Sequence, residues 1–243
     1  MGNSALKQNQ NLPMNWNAIN EIDQQATLAL NGSDSIFWDN LMITVTDTFS
    51  WSLVIIALIV ILFRNNDIKD SILILLTMGL MIFVADRLCS GLVKPLVARW
   101  RPTQDPQIMY LVDVVNGYRG GRFGFFSGHA CNTFCMAMFL SCLFHSNKVT
   151  AVLFFWAAST TFTRLYLGVH YLGDVTVGLI VGMIIGYAFY SLYKIYKKHT
   201  RGSRLISSQF TPTGYKKDDM NAFLSVVFFN YICVLIFAII RGV

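Results

Sequence analysis

Six apolar stretches, at roughly 48–63, 71–85, 130–144, 149–162, 175–193 and 222–240, divide the 243-residue chain. Few folds can accommodate such a pattern. A bilayer crossing needs about 20 apolar residues as helix, and in lipid every backbone polar group must be satisfied within the segment itself, which leaves helices or closed barrels. Several stretches reach that length only with their flanks. The apolar content of 54%, the mean hydropathy of +0.50 and the charged fraction of 13% point the same way, because soluble domains carry about one quarter charged residues. The pattern predicts an all-α polytopic membrane bundle of about six transmembrane helices. Residues 1–45 form a tail with amphipathic interfacial segments, and 46–243 form a single transmembrane domain without a separate soluble unit.

Residues 1–14 read as a disordered polar tail, without the basic start and apolar core of a signal peptide. From Trp16 to Leu30, Trp16, Ile19, Ile22 and Ala26 recur at helical spacing among polar residues, the mark of a helix lying at a membrane surface. Asn31-Gly32-Ser33 breaks it, and Ile36, Phe37, Trp38, Leu41 and Met42 begin a second amphipathic piece. The net charge of +6 bears on loop orientation and anionic lipid. No nucleic-acid motif is present, and no obligate protein partner is inferred. The five cysteines fall in or beside apolar stretches; Cys131 and Cys135 have only His129 as a nearby ligand, so they read as buried hydrophobes. No metal or cofactor is expected.

Polar residues that such a chain should avoid gather in three places. In T-R-L-Y-L-G-V-H-Y-L-G-D, Thr163 to Asp174, a helix running from Val169 would put His170 and Asp174 one turn apart on one face, where a carboxylate orients an imidazole. Alone, that pair would read as a local hydrogen bond or cap. Upstream lies K-P-L-V-A-R-W-R-P from Lys94, then a long glycine-bearing connection ending in F-S-G-H at Phe126 to His129. Long connections of this kind are commonly functional. Ser127 is a candidate N-cap, and free amides at a helix start attract anions. If the spans alternate, the three clusters share one side of the membrane. Lys94, Arg101 and Arg164 then surround one anion, with His129 and His170 beside it. A cationic cradle with two histidines suits phosphoryl transfer, one histidine attacking phosphorus and the other protonating the leaving oxygen. The clusters hold few carboxylates for magnesium, so the reaction reads as metal-independent.

Lys94 with six residues to Arg101-Pro102, Ser127-Gly128-His129, and Arg164 with five residues to His170 and three to Asp174 resemble the three signature motifs of the type 2 phosphatidic acid phosphatase (PAP2) superfamily, over about residues 36–196. The resemblance implies that His170 is a nucleophile forming a phosphohistidine, Asp174 its orienting partner and His129 the general acid. Lys94, Arg101 and Arg164 would bind phosphate together with Ser127 and the Gly128 amide. Phe126 stands where a proline is common and Thr163 where a serine is common. The same cradle occurs in soluble vanadium haloperoxidases, against which the six spans argue. The family also implies a site facing away from the cytoplasm, hence the periplasmic side of a bacterial inner membrane, with the basic 194–221 segment inside. Residues 117–129 resemble a bacterial branch that includes lipid A phosphatases. The implied partner is a phosphorylated lipid within membrane lipid: lipid A phosphate first, with undecaprenyl pyrophosphate or phosphatidylglycerol phosphate as alternatives. Arg119 and Arg122 could hold a second phosphate or sugar head group, or face solvent and lipid head groups. A reading from another class is an idle lipid-binding or transport protein that keeps the cradle.

Overall fold

The computed structural model describes residues 16–198 and 208–241. The expected tail at 1–14, and residues 199–207 of the basic segment, lie outside them. The amphipathic lead forms α1 (Trp16–Leu28), which ends before a left-handed Gly32, and α2 (Ile36–Thr46). A single 3-10 turn, Thr48–Trp51, leads directly into α3 (Ser52–Asn65). Helix α4 (Ile68–Asp86) continues through a wide π-type stretch, Arg87–Val93, into the short α5 (Lys94–Val97). Then follow α6 (Gly128–Phe144), α7 (Asn147–Tyr166), α8 (Leu172–Lys198) and α9 (Lys217–Arg241). Among the described residues there is no regular strand, only isolated bridges such as Trp100 with Phe123.

Four helical stretches are long and apolar enough to span on those grounds alone: Thr48–Asn65, Ile68–Val97, Leu172–Lys197 and Lys217–Arg241. The other two long helices fall short for different reasons. Helix α6 has 17 residues, 11 of them buried, so little of it needs to face lipid. Helix α7 is polar toward its end, with Ser159, Thr160, Thr161, Thr163 and Arg164. Helices α8 and α9 reach further than the apolar runs that announced them. Lys194 and Lys197 therefore sit on α8 and Lys217 on α9, and Lys197 pairs with Asp70 at the foot of α4. Cys89, Cys131 and Cys135 are buried as expected, but Cys142 is half-buried and Cys233 exposed, because the outer face of α9 is apolar to its edge.

The bundle is tightest between α6 and α8. A Cβ at Gly178, Gly182 or Gly186 would run into the carbonyl oxygens of Ser127, Cys131 and Cys135 respectively. Both sets step by four residues in the same direction, so the two helices run parallel with their backbones in contact, as small residues at four-residue spacing permit. At the end away from α5, Asp219 of α9 takes the Asn65 amide at 2.9 Å and Arg64 at 3.1 Å. Phe144 packs edge-on against Tyr215 there. Leu62, Ile74, Met81, Phe139 and Phe144 fill the core, while Leu76, Leu80, Ile184, Phe228 and Ile240 point outward, where lipid would solvate them.

Gly182→Leu should push the two backbones apart, at a cost of roughly 1–3 kcal/mol or more for overpacking. Gly79→Leu, on α4, meets nothing within 4 Å and should be near neutral. Thermal unfolding in detergent separates them: a large drop in Tm for the first and little change for the second.

Candidate active site

Helix α6 starts at a serine and α8 starts beside it. The Ser127 hydroxyl accepts from the Ala130 amide at 3.4 Å, the N-cap expected of it, and the Ser127 amide donates to the Asp174 carbonyl at 2.9 Å. One residue thus caps one helix and ties it to the first turn of the other. The helix expected from Val169 does not form. Helix α7 ends at Tyr166, Gly168 adopts φ of +64°, and α8 begins only at Leu172. Backbone groups of the intervening link bond elsewhere: the Gly168 carbonyl accepts from the Thr103 amide at 3.2 Å and the Val169 carbonyl from Arg101 Nη1 at 3.1 Å. His170 therefore precedes the helix, yet its Nδ1 still lies 3.6 Å from Asp174 Oδ2. The pair meets across a helix start, not along a helical face.

The surroundings of His170 fix its chemistry. Arg101 Nη1 sits 3.3 Å from Nε2, and a guanidinium can only donate. The proton therefore belongs on Nδ1, toward Asp174, and the lone pair on Nε2. The ring is 1% exposed. Burial, with Arg101, Arg164 and Lys94 nearby, holds its pKa well below 6.5, so the imidazole is neutral. Burial and the Arg164 charge also lower the pKa of Arg101. Arg164 is 2% exposed; its Nη1 donates to Thr46 Oγ1 at 2.7 Å, its Nη2 to the Tyr118 hydroxyl at 3.0 Å, and its buried Nε has no partner. Lys94 approaches the start of α6, its Nζ 3.9 Å from where a Cβ on Gly128 would lie. Crowded cations with a free donor make this a place for an anion.

His129, exposed in the first turn of α6, faces two adjoining cavities. One, of about 480 Å³, is lined by Asp47, Asn116, Tyr118 and Arg164 together with Ile43 and Leu167; the second, of about 380 Å³, runs into the bundle between apolar side chains. The structure thus gathers Lys94, Arg101, Ser127, Gly128, His129, Arg164, His170 and Asp174 at one end. It does not bring Arg119 and Arg122 to the cavities. Arg119 Nη1 donates to the Thr103 carbonyl at 3.1 Å, and Arg122 stacks on Trp100 at 4.6 Å. Both brace the long connection. Among the described residues no three His, Cys, Asp or Glu side chains group to hold a metal.

One side chain at this end of the bundle escaped the sequence reading. Arg99 donates to Asp174 Oδ1 at 2.8 Å and to Asp23 Oδ2 of α1 at 2.7 Å, and its guanidinium lies 4.0 Å from the Tyr171 ring centre. Burial opposes its charge, but Asp174 and Asp23 outweigh that and hold its pKa above the usual guanidinium range. Helix α1 goes further. Asp23 Oδ1 accepts from the Gly173 amide at 2.8 Å and Thr27 Oγ1 from the Leu172 amide at 3.0 Å, so α1 caps α8 from outside. Its polar side faces the site, while Ile19 and Ile22 face out. The signal was available: Asn20, Asp23 and Thr27 lie three and four residues apart, a polar stripe on the same helix whose apolar stripe was read.

A family model described as the PAP2 superfamily matches residues 70–198. A lipid A 4'-phosphatase of Bacteroides thetaiotaomicron is 40% identical over 173 residues, 71% of this chain and 77% of that protein. A lipid A 4'-phosphatase of Porphyromonas gingivalis is 33% identical over 175 residues, 72% of this chain and 74% of that protein. Among solved structures, a transmembrane PAP2-type phosphatidylglycerolphosphate phosphatase from Bacillus subtilis superposes with a TM-score of 0.56 at 23% identity, covering 77% of this chain and 90% of that one.

Arg99→Met should lower kcat by about 10–100-fold with a smaller change in KM, since a catalytic group displaced by about 1 Å can cost that much. Arg99→Lys should recover part of the loss, and steady-state kinetics on the three proteins decides it. His170 makes the second expectation. Its folded pKa lies below its unfolded 6.5, so the unfolded chain takes up the proton first. Its contribution to stability is complete above pH 6.5 and is lost as pH falls from there through the folded value. Unfolding measured between pH 7.5 and 5 should show that loss, and His170→Gln should flatten it.

Proposed function

This chain belongs to the PAP2 superfamily, and from that premise we propose that it is a membrane lipid phosphatase acting on lipid A, or a lipid built like it, through a phosphohistidine at His170. The observation that carries the reading is the His170 ring. It is buried and neutral, its Nδ1 lies 3.6 Å from Asp174 Oδ2, and its Nε2 accepts from Arg101 at 3.3 Å, a contact that Arg101 would yield to phosphate oxygens within a cluster of cations. That is the arrangement a nitrogen nucleophile needs toward phosphorus.

In the proposed reaction the phosphate lies between Arg101, Arg164, Lys94 and the amides opening α6. Nε2 of His170 attacks phosphorus in line, the bond from phosphorus to the lipid oxygen breaks, and His129, entering the step as imidazolium because the bound phosphate's negative charge offsets the neighbouring cations, gives that oxygen its proton. Asp174 takes up the partial charge appearing on the imidazole through Nδ1–H. Water then attacks the phosphohistidine, His129 accepts its proton, the phosphorus–nitrogen bond breaks, and inorganic phosphate leaves with His170 neutral again. The fixed cations stabilise the charge that grows on the equatorial oxygens at both steps. With side chains supplying that charge, the proposal needs no metal ion. The lipid A assignment draws on the two relatives of that name, and the cavity beside Arg164, with Asp47, Asn116 and Tyr118 in its lining, offers some of the donors and acceptors that a sugar head group uses. The same reading places the site end on the periplasmic face of a bacterial inner membrane, where the outward apolar side of α1 would lie along the lipid.

Phosphate release from lipid A, undecaprenyl pyrophosphate, phosphatidylglycerol phosphate and phosphatidic acid, by detergent-solubilised protein in a chelator, is the direct test. We expect lipid A to be preferred, orthovanadate to inhibit as a five-coordinate mimic, and His170→Ala to lose activity by a factor of at least about 10⁴, comparable to removal of other covalent nucleophiles. Activity surviving in His170→Ala would overturn the mechanism, and a stronger preference for another lipid would move the substrate while keeping the chemistry.

A further inference from the structure

His129 marks the leaving-group side of the site. In an in-line displacement the departing oxygen lies opposite Nε2 of His170, where the general acid must reach it. Whatever that oxygen carries therefore enters one of the two cavities that His129 lines. The one between apolar side chains has no Lys, Arg, Asp or Glu among the described residues of its lining, and a charged group is costly to bury there unpaired. A charged leaving group is left with the other cavity, of about 480 Å³.

That cavity holds the wrong charge for it. Asp47 stands in its wall between Thr46 and Thr48, at the corner where α2 gives way to the 3-10 turn. The corner is held from both sides: the Asp47 amide donates to the Ile43 carbonyl at 3.2 Å, and Asp47 Oδ1 accepts from the Phe49 amide at 3.2 Å. Arg164 is the one Lys or Arg among the described residues of this lining. Its guanidinium already donates to Thr46 and Tyr118, and in the proposed reaction it serves the phosphate being transferred. Arg119 and Arg122, the natural reserve for a second anion, turn to Thr103 and Trp100 instead. In so small a space a second phosphate lies within about one Debye length, roughly 8–10 Å, of the Asp47 carboxylate.

We propose that Asp47 restricts the enzyme to phosphate monoesters by repelling a diphosphate, whose leaving group is itself a phosphate. The inference rests on the lipid phosphatase reading and narrows the bond that is cut. With a monoester the departing oxygen belongs to an alcohol, and neighbouring hydroxyls can donate to Asp47. With a diphosphate the terminal phosphoryl group passes to Nε2 of His170, the bond from its phosphorus to the bridging oxygen breaks, and a lipid monophosphate departs with that oxygen and its negative charge beside the carboxylate. Discrimination then comes from a repulsive element set against the wrong ligand.

The test uses two synthetic acylated glucosamine lipids that differ only in carrying a phosphate or a diphosphate on the same oxygen. Initial release of inorganic phosphate by the full-length protein in detergent gives kcat/KM for each, in wild type, Asp47→Asn and Asp47→Ser, both neutral and both still able to cap the turn. Wild type should favour the monophosphate. Each variant should raise kcat/KM on the diphosphate by about fivefold, the upper range for a solvent-screened pair of charges. A damaged fold lowers both rates, so a gain on one lipid separates charge from structure. Equal kcat/KM on the two lipids in wild type, or no gain on the diphosphate in either variant, overturns the role of Asp47 and leaves the phosphatase reading standing. Hydrolysis of neither lipid by wild type overturns both.

Discussion

The contact between α6 and α8 governs the geometry of everything at the site. Three glycines on one helix meet three carbonyls on the other, and a parallel pair held that closely has little freedom to slide or splay. His129 rides on the start of α6, and Asp174 on the start of α8 with His170 two residues before it. The distance between the two histidines is therefore fixed by backbone packing in the bilayer, and the Ser127 to Asp174 hydrogen bond pins the two helix starts together. Parallel neighbours need a return segment between them. Helix α7 is that segment, and it arrives at the site end carrying Arg164.

Charge is divided in the same economical way. Four cationic side chains approach the site, and they are not equivalent. Arg99 is neutralised by Asp174 and Asp23 and acts as structure. Arg101 and Arg164 have no carboxylate partner of their own; they spend part of their donors on carbonyls, hydroxyls and the His170 ring. Such a set is unfavourable to bury without an anion, and a phosphate group would supply one. Burial keeps His170 neutral, and the same cations that would bind the substrate add to that effect.

Most of this was legible, and the limits are instructive. The alternation of apolar runs placed the three polar clusters on one side, and the spacings Lys94 to Arg101 and Arg164 to Asp174 picked out the residues that meet. Ser127 announced itself as a cap, and Gly178, Gly182 and Gly186 as a packing stripe. The helix supposed to begin at Val169 failed because Thr103 and Arg101, more than sixty residues away, take the carbonyls of the link that local pattern would give to α8. Arg99 was passed over for a related reason: its partners, Asp23 and Asp174, are 76 and 75 residues distant. No periodicity within one helix reports such pairings. Arg119 and Arg122 lay open to two readings because charge near a motif looks like charge at a site, and in the structure their side chains turn to Thr103 and Trp100.

The capping of α8 by Asp23 and Thr27 also has a temporal meaning. Asp23 and Gly173 are 150 residues apart in the chain, and at about 5–20 residues per second of synthesis roughly 8–30 s separate their appearance. Throughout that interval α1 has no place to dock, its apolar stripe has only the lipid surface for company, and Asp174 does not yet exist to orient a histidine. The cap on the start of α8 is thus among the later contacts at this end of the bundle to form, made only when residue 173 has followed residue 23 out of synthesis.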